Sequence, residues 1–156
     1  MMKKFIVSLL VVFASGVALG SDAPANNTIT PICHGDAILG QWKWHKYIYD
    51  GQEFPPSNPN LNLIFEFMEG GRNRLYWDRT GERGFCERYG NYIFNQCQLI
   101  DQVTWVNPDN ALGCGADPDM KEGRQTMTRA EVRGDEFYLY LSLGGKPFIY
   151  IWKKLP

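Results

Sequence analysis

The residues best equipped for chemistry are few: four cysteines (Cys33, Cys86, Cys97, Cys114), two histidines (His34, His45) and the pair of carboxylates in Asp117-Pro118-Asp119. No two cysteines stand in a C-x-x-C spacing, so thiol redox catalysis and c-type haem attachment lack their usual framework. Cys33-His34 is the one adjacent pair of soft ligands, which is thin support for zinc. Asp117 and Asp119 could offer oxygens to calcium, but the proline between them breaks the EF-hand spacing and the segment reads as a turn. No G-x-S-x-G elbow is present, and Ser142 sits inside an apolar alternating stretch with no base near it. The expectation is therefore a protein without catalytic residues, metal or cofactor, whose cysteines pair with one another.

Pairing requires an oxidising compartment, and the N-terminus supplies the address. Residues 1–20 read as a secretory signal: Lys3 and Lys4, then apolar Phe5–Val12, then the small-residue site Ala18-Leu19-Gly20. The apolar run is shorter than the roughly 20 residues of a membrane span, although a retained anchor is the alternative. No cysteine follows the cleavage site, so lipid attachment there is not expected. Cleavage leaves 14 basic against 17 acidic residues, a net charge of −3, which argues against nucleic acid or anionic membrane as a partner. The mature chain should be periplasmic or secreted, with a polar arm over 21–38 and one domain over 39–156.

An aromatic content of 14% with 16 Gly and 9 Pro excludes disorder and coiled coil and points to an all-β domain. Alternation and turn residues predict eight strands: Leu39–Tyr49, Leu61–Glu69, Arg72–Arg79, Glu82–Phe94, Gln98–Val106, Arg124–Arg133, Glu136–Leu143 and Lys146–Lys154. Short connections make neighbours antiparallel, so the eighth strand runs opposite to the first and can pair with it, closing an up-and-down barrel. An open sandwich is the alternative. With the start of the first strand taken as the base, the turns near Gly70, Gln96 and Gly134 are basal. The long connections 50–60 and 107–123 crowd the other rim, a mouth. Cys33 and Cys97 then share the base, while Cys86 and Cys114 share the mouth, which predicts disulfides Cys33–Cys97 and Cys86–Cys114. A rival hairpin pairing, Cys86–Cys97, requires the turn to move to Gly90-Asn91.

Strand alternation assigns an interior of Trp42, Trp44, Ile48, Leu61, Leu63, Phe65, Phe67, Leu75, Trp77, Phe85, Tyr89, Leu99, Val103, Trp105 and the apolar residues of the last three strands. The opposite face carries Gln41, Lys43, His45, Glu66, Arg74, Asp78, Arg129, Glu131 and Arg133, a charged exterior unlike that of a lipid-embedded barrel. Lys46, Glu87, Asp101, Thr126 and Thr128 share the interior parity. Buried charge must pair, hydrate or meet a ligand, so these residues form either an internal polar pole or an internal ion pair.

Gly40-Gln41-Trp42, opening the first strand of an eight-stranded meander, resembles the G-x-W signature of lipocalins and related calycins. The likeness spans roughly residues 33–156 and looks most like bacterial lipocalin-like proteins. It implies that Trp42 closes the base near a basic residue of the last strand, Lys153 or Lys154, and that the interior takes a small hydrophobic or amphipathic ligand. No T-D-Y-type second motif and no helix after the eighth strand are evident. The expected contacts are Tyr47, Tyr49 and Phe54 at the rim, Trp77 and Trp105 below, and Lys46 or Glu87 as polar anchor. Large aromatics could instead fill the interior. The protein would then work through its mouth loops as a protein-interaction module, such as an exported hydrolase inhibitor, with Phe54-Pro55-Pro56 and Leu112 as anchors.

Overall fold

The structure is a computed structural model that describes residues 29–156. The signal segment 1–20 and the first part of the arm lie outside the described residues. Nine strands form: β1 (Gly40–Tyr49), β2 (Gln52–Phe54), β3 (Leu61–Met68), β4 (Arg72–Arg79), β5 (Phe85–Asn95), β6 (Gln98–Val106), β7 (Gln125–Arg133), β8 (Glu136–Leu143) and β9 (Lys146–Lys154). Apart from β2 they follow the predicted meander. From β3 onward each strand pairs antiparallel with the next, and β9 returns to β1, from Trp42↔Lys154 to Tyr49↔Phe148. The sheet is closed, so an eight-stranded barrel forms rather than a sandwich, and its long edges are removed.

The additional strand comes from the first mouth loop. Asp50-Gly51, both at positive φ, turn the chain so that Gln52–Phe54 folds back on Tyr47–Tyr49. Consequently β1 has two partners on one side: β3 along Gly40–Lys43 and β2 along Tyr47–Tyr49.

Both disulfides have the predicted pairing, with Cα–Cα distances of 4.3 Å for Cys33–Cys97 and 5.6 Å for Cys86–Cys114. The first fastens the arm beneath the barrel, where Ile32 also bridges to Val132. The second ties the 107–123 connection across the mouth. By loop-closure entropy each contributes about 4 kcal/mol.

The base is sealed by aromatic packing. Trp42 is 0% exposed and its indole N–H donates to Ile38 O at 2.7 Å, in a short 3-10 turn (Gly35–Ile38) that plugs the barrel end. The ring packs on Phe137 at 5.6 Å, and Lys154 Nζ lies 5.2 Å over it. Thus the late-strand cation expected over Trp42 is Lys154. Phe65, Phe67, Phe94, Leu99 and Trp152 complete a core concentrated in this lower half.

Two irregularities overturn part of the face assignment. Between Trp44 and Lys46 the β1–β9 register slips by one residue, so Trp44 faces Trp152 while Lys46 already faces Ile151. This bulge reverses parity beyond it: Tyr47 and Tyr49 turn inward, and Lys46 and Ile48 turn outward. A second slip pairs Tyr89 with Trp105 but Gly90 with Val103, leaving Thr104 as the extra residue. In β5 the interior set is Cys86, Arg88, Tyr92 and Phe94, opposite to the expected Phe85, Glu87 and Tyr89.

Candidate ligand cavity

Above the aromatic base the interior is hollow. An inner cavity of about 260 Å³ is walled by Leu63, Phe65, Leu75, Leu99, Leu139 and Leu141, with Arg88, Asp101, Thr126, Thr128 and Trp152 among its polar-bearing residues. An outer chamber of about 540 Å³ reaches the mouth between Trp44, Trp77, Arg79, Leu112 and the Cys86–Cys114 bridge. Leu63, Asp117 and Tyr150 line both spaces. The two chambers adjoin at these residues and together make up the channel, with Trp152 in the wall of the inner one and the buried Trp42 at the base of the barrel.

Charge is buried deep in this channel. Arg88 is 1% exposed and grips Asp101 with both terminal nitrogens, at 2.5 Å and 3.2 Å, while Asn73 bridges the pair from the side. The guanidinium also lies 5.2 Å over the Phe65 ring. Room for it depends on Gly90: a Cβ there would sit 2.5 Å from Gln102 O and 3.0 Å from Arg88 Nη1. Two fully buried donors, Arg88 Nε and Trp152 Nε1, have no acceptor among the described residues. A buried donor left unpaired costs about 1–3 kcal/mol.

The 107–123 connection brings a second polar group down from the mouth. Asp117 caps a 3-10 turn by accepting from Asp119 N at 2.9 Å, so the Asp-Pro-Asp segment is the expected turn, and both aspartates border the inner cavity while remaining exposed to solvent. Asp119 pairs with Arg124 at 3.4 Å. Burial pushes its carboxyl above the ordinary range, Arg124 opposes that, and Asp117 adds to it. Tyr150, at the boundary of the chambers, has its hydroxyl pushed up by burial and then by Asp117 and Asp119.

No family model matches this chain, and no curated protein matches it. Among solved structures it is similar to the crystal structure of a lipocalin-like protein from Bacteroides uniformis ATCC 8492, with a TM-score of 0.51 at 18% sequence identity, covering 76% of this chain and 99% of that one. The fold is lipocalin-like.

In the lipocalin-like barrel the expected contact residues fall into two groups. Trp77 is in the channel wall. Tyr47, Tyr49 and Phe54 pack together, Tyr47 stacking on Phe54 at 5.3 Å and meeting Phe148 at 5.4 Å with Tyr49 6.3 Å from Phe148, but none of the three lines either chamber. Lys46, Glu87 and Trp105 do not face the interior. Lys46 points outward to Glu53 and Glu136, at 3.1 Å and 3.6 Å. Glu87 accepts from Arg74 at 2.6 Å and from Asn107 at 2.7 Å on the outer face. Trp105 is 41% exposed against Tyr89. The two bulges account for Lys46 and Trp105, and the inverted β5 face accounts for Glu87.

Asp101, Thr126 and Thr128 hold the interior positions expected of them. Sequence reading missed Arg88, Asn73 and Arg124, and read Asp117 and Asp119 as a turn rather than as cavity-lining residues. Asn73 shares the alternation of Leu75 and Trp77 and was visible on that ground. Arg88 had a subtler signal: a mouth disulfide from Cys86 to a loop that crosses the opening turns Cys86 inward, and Arg88 two residues on shares its face.

Proposed function

We propose that this protein binds and carries, or sequesters, a small amphipathic molecule inside its barrel, in a periplasmic or extracellular setting. The observation that carries this reading is the axial channel: apolar walls with a few convergent polar groups at two levels, the composition typical of small-molecule sites. The lipocalin-like fold agrees with it as a class. The export signal read from the sequence and the two disulfides support the compartment. Trp44, Trp77 and Tyr150 would contact what enters, with the Tyr47, Tyr49 and Phe54 cluster packed beside Trp44 rather than in the chamber wall. Of the anchors expected for the inhibitor alternative, Phe54 stacks on Tyr47 while Leu112 is fully exposed, and a single exposed leucine is no argument for a protein partner over the interior.

Trp77 supplies the test. Titration with an uncharged fluorescent amphiphile, N-phenyl-1-naphthylamine, should give saturable quenching of tryptophan emission that diminishes in Trp77→Phe. Leu63→Trp, which puts bulk where both chambers meet, should abolish binding while the protein stays folded by circular dichroism. Unchanged binding in Leu63→Trp, or no saturable signal in the parent chain, would remove the interior from consideration.

A further inference from the structure

The inner cavity is unevenly lined. Strands β3, β4 and β8 present only leucines and Phe65 to it, whereas β5, β6 and β7 supply Arg88, Asp101, Thr126 and Thr128. These last three strands are neighbours in the sheet, so one side of the cavity is polar and the side across from it is hydrocarbon. Leu99 on β6 interrupts the polar side towards the base.

The polar residues are not equally available. Arg88 and Asp101 bond each other and Asn73, and they keep only 1% and 8% exposure. Thr126 and Thr128 differ. They stand across from Asp101 and Leu99 in the β6–β7 ladder and are half-buried. Further along the same face of β7, Ala130 and Val132 are packed into the base. The surface that the two threonines retain is therefore turned to the cavity. Residues two apart on a strand are separated by about 7 Å. The polar stripe thus runs along the depth of the cavity and does not cap one end of it.

That direction constrains the occupant. A plain alkyl chain would cover both threonines with methylene groups, and a hydroxyl cut off from water without a partner weakens binding. A molecule with its own hydroxyls along one face would meet them, while its other face lay on the leucines of β3, β4 and β8.

We propose that the barrel selects a facial amphiphile: a rigid hydrocarbon plate with hydroxyl groups along one side, seated with that side against Thr126 and Thr128. This rests on the interior being the binding site and names the class of molecule it takes.

Cholate, deoxycholate and lithocholate test it, because they share a steroid plate and a carboxylate and lose hydroxyls from one face in that order. Calorimetric titration of the disulfide-intact protein below micelle-forming concentrations should rank cholate tightest and lithocholate weakest, roughly tenfold apart. Burial of apolar surface alone ranks them the opposite way. In Thr126→Val with Thr128→Val, which keeps the shape and the β-branching, the ratio should collapse or invert. Because the ratio is read within one variant, a general loss of stability does not imitate the result. If lithocholate binds the parent chain as well as cholate does, or the double variant keeps the parent ratio, the stripe is not what is read and interior binding stands. If none of the three binds while N-phenyl-1-naphthylamine gives its saturable signal, the ligand class is wrong and interior binding stands. If that probe also fails, both fall.

Discussion

Arg88 concentrates the energetics of this interior in one side chain. Its charge is compensated by Asp101 and its shape by Asn73 and Gly90, so the cluster is stable as a set and fragile in its parts. Arg88→Met should lower stability by about 3–5 kcal/mol, because Asp101 is left charged and buried with only the Asn73 amide to answer it. Arg88→Met combined with Asp101→Leu should recover much of that loss, as seen in urea-unfolding midpoints. A double variant no better than the single one would mean that the pair is not the unit described. Arg88 was hard to see in the sequence for a definite reason. The two faces of β5 are equally mixed, and the apolar pair Phe85 and Tyr89 lies outside. Hydrophobic alternation therefore chose the wrong set.

At the scale of elements, strand number, order, closure and disulfide pairing were legible, because turn residues and the direction of travel fix them together. What the alternation could not show was where it slips. A bulge adds one residue without changing the turn pattern, and each of the two here carries an aromatic or a lysine across to the other face: Tyr47 and Lys46 in β1, Trp105 in β6. The β2 strand was hidden because three residues are too few for a period to register. The 107–123 connection is the element on which the site depends. The Cys86–Cys114 bond holds it across the mouth together with backbone bonds such as Ala111 N–H to Phe85 O and the buried Met120. Cys86→Ala with Cys114→Ala should cost about 4 kcal/mol of stability. The same variant should expose 107–123 to limited proteolysis while leaving β5 and β6 paired. Resistance of that connection equal to the parent chain would show that other contacts hold it.

For the molecule as a whole, the exterior sets the response to acid. Glu131 on β7 is only 2% exposed on the outer wall, beneath Arg129, Arg133 and Tyr140, which bond its carboxylate at 2.6 to 3.1 Å. Burial alone would push its carboxyl up, but the hydrogen bonds from Arg133, Arg129 and Tyr140 outweigh it and hold the group below the ordinary glutamate value. A folded-state value below the unfolded one gives stability that is full above the unfolded value and fades as pH falls through the folded one. The barrel should therefore lose stability on acidification below about pH 4.5, near the ordinary glutamate value. In Glu131→Gln the thermal midpoint should be lower at neutral pH and flatter across the acid range. An acid slope equal to that of the parent would assign the sensitivity elsewhere.

The bridge between Cys86 and Cys114 forms part of the chamber it guards. Any occupant that is held better with this bond closed must, by reciprocity, make the bond harder to open by the same free energy. Thiol reagents and cargo would thus oppose one another without touching. In a mixture of loaded and empty barrels exposed to a mild reductant, the empty ones would come undone first.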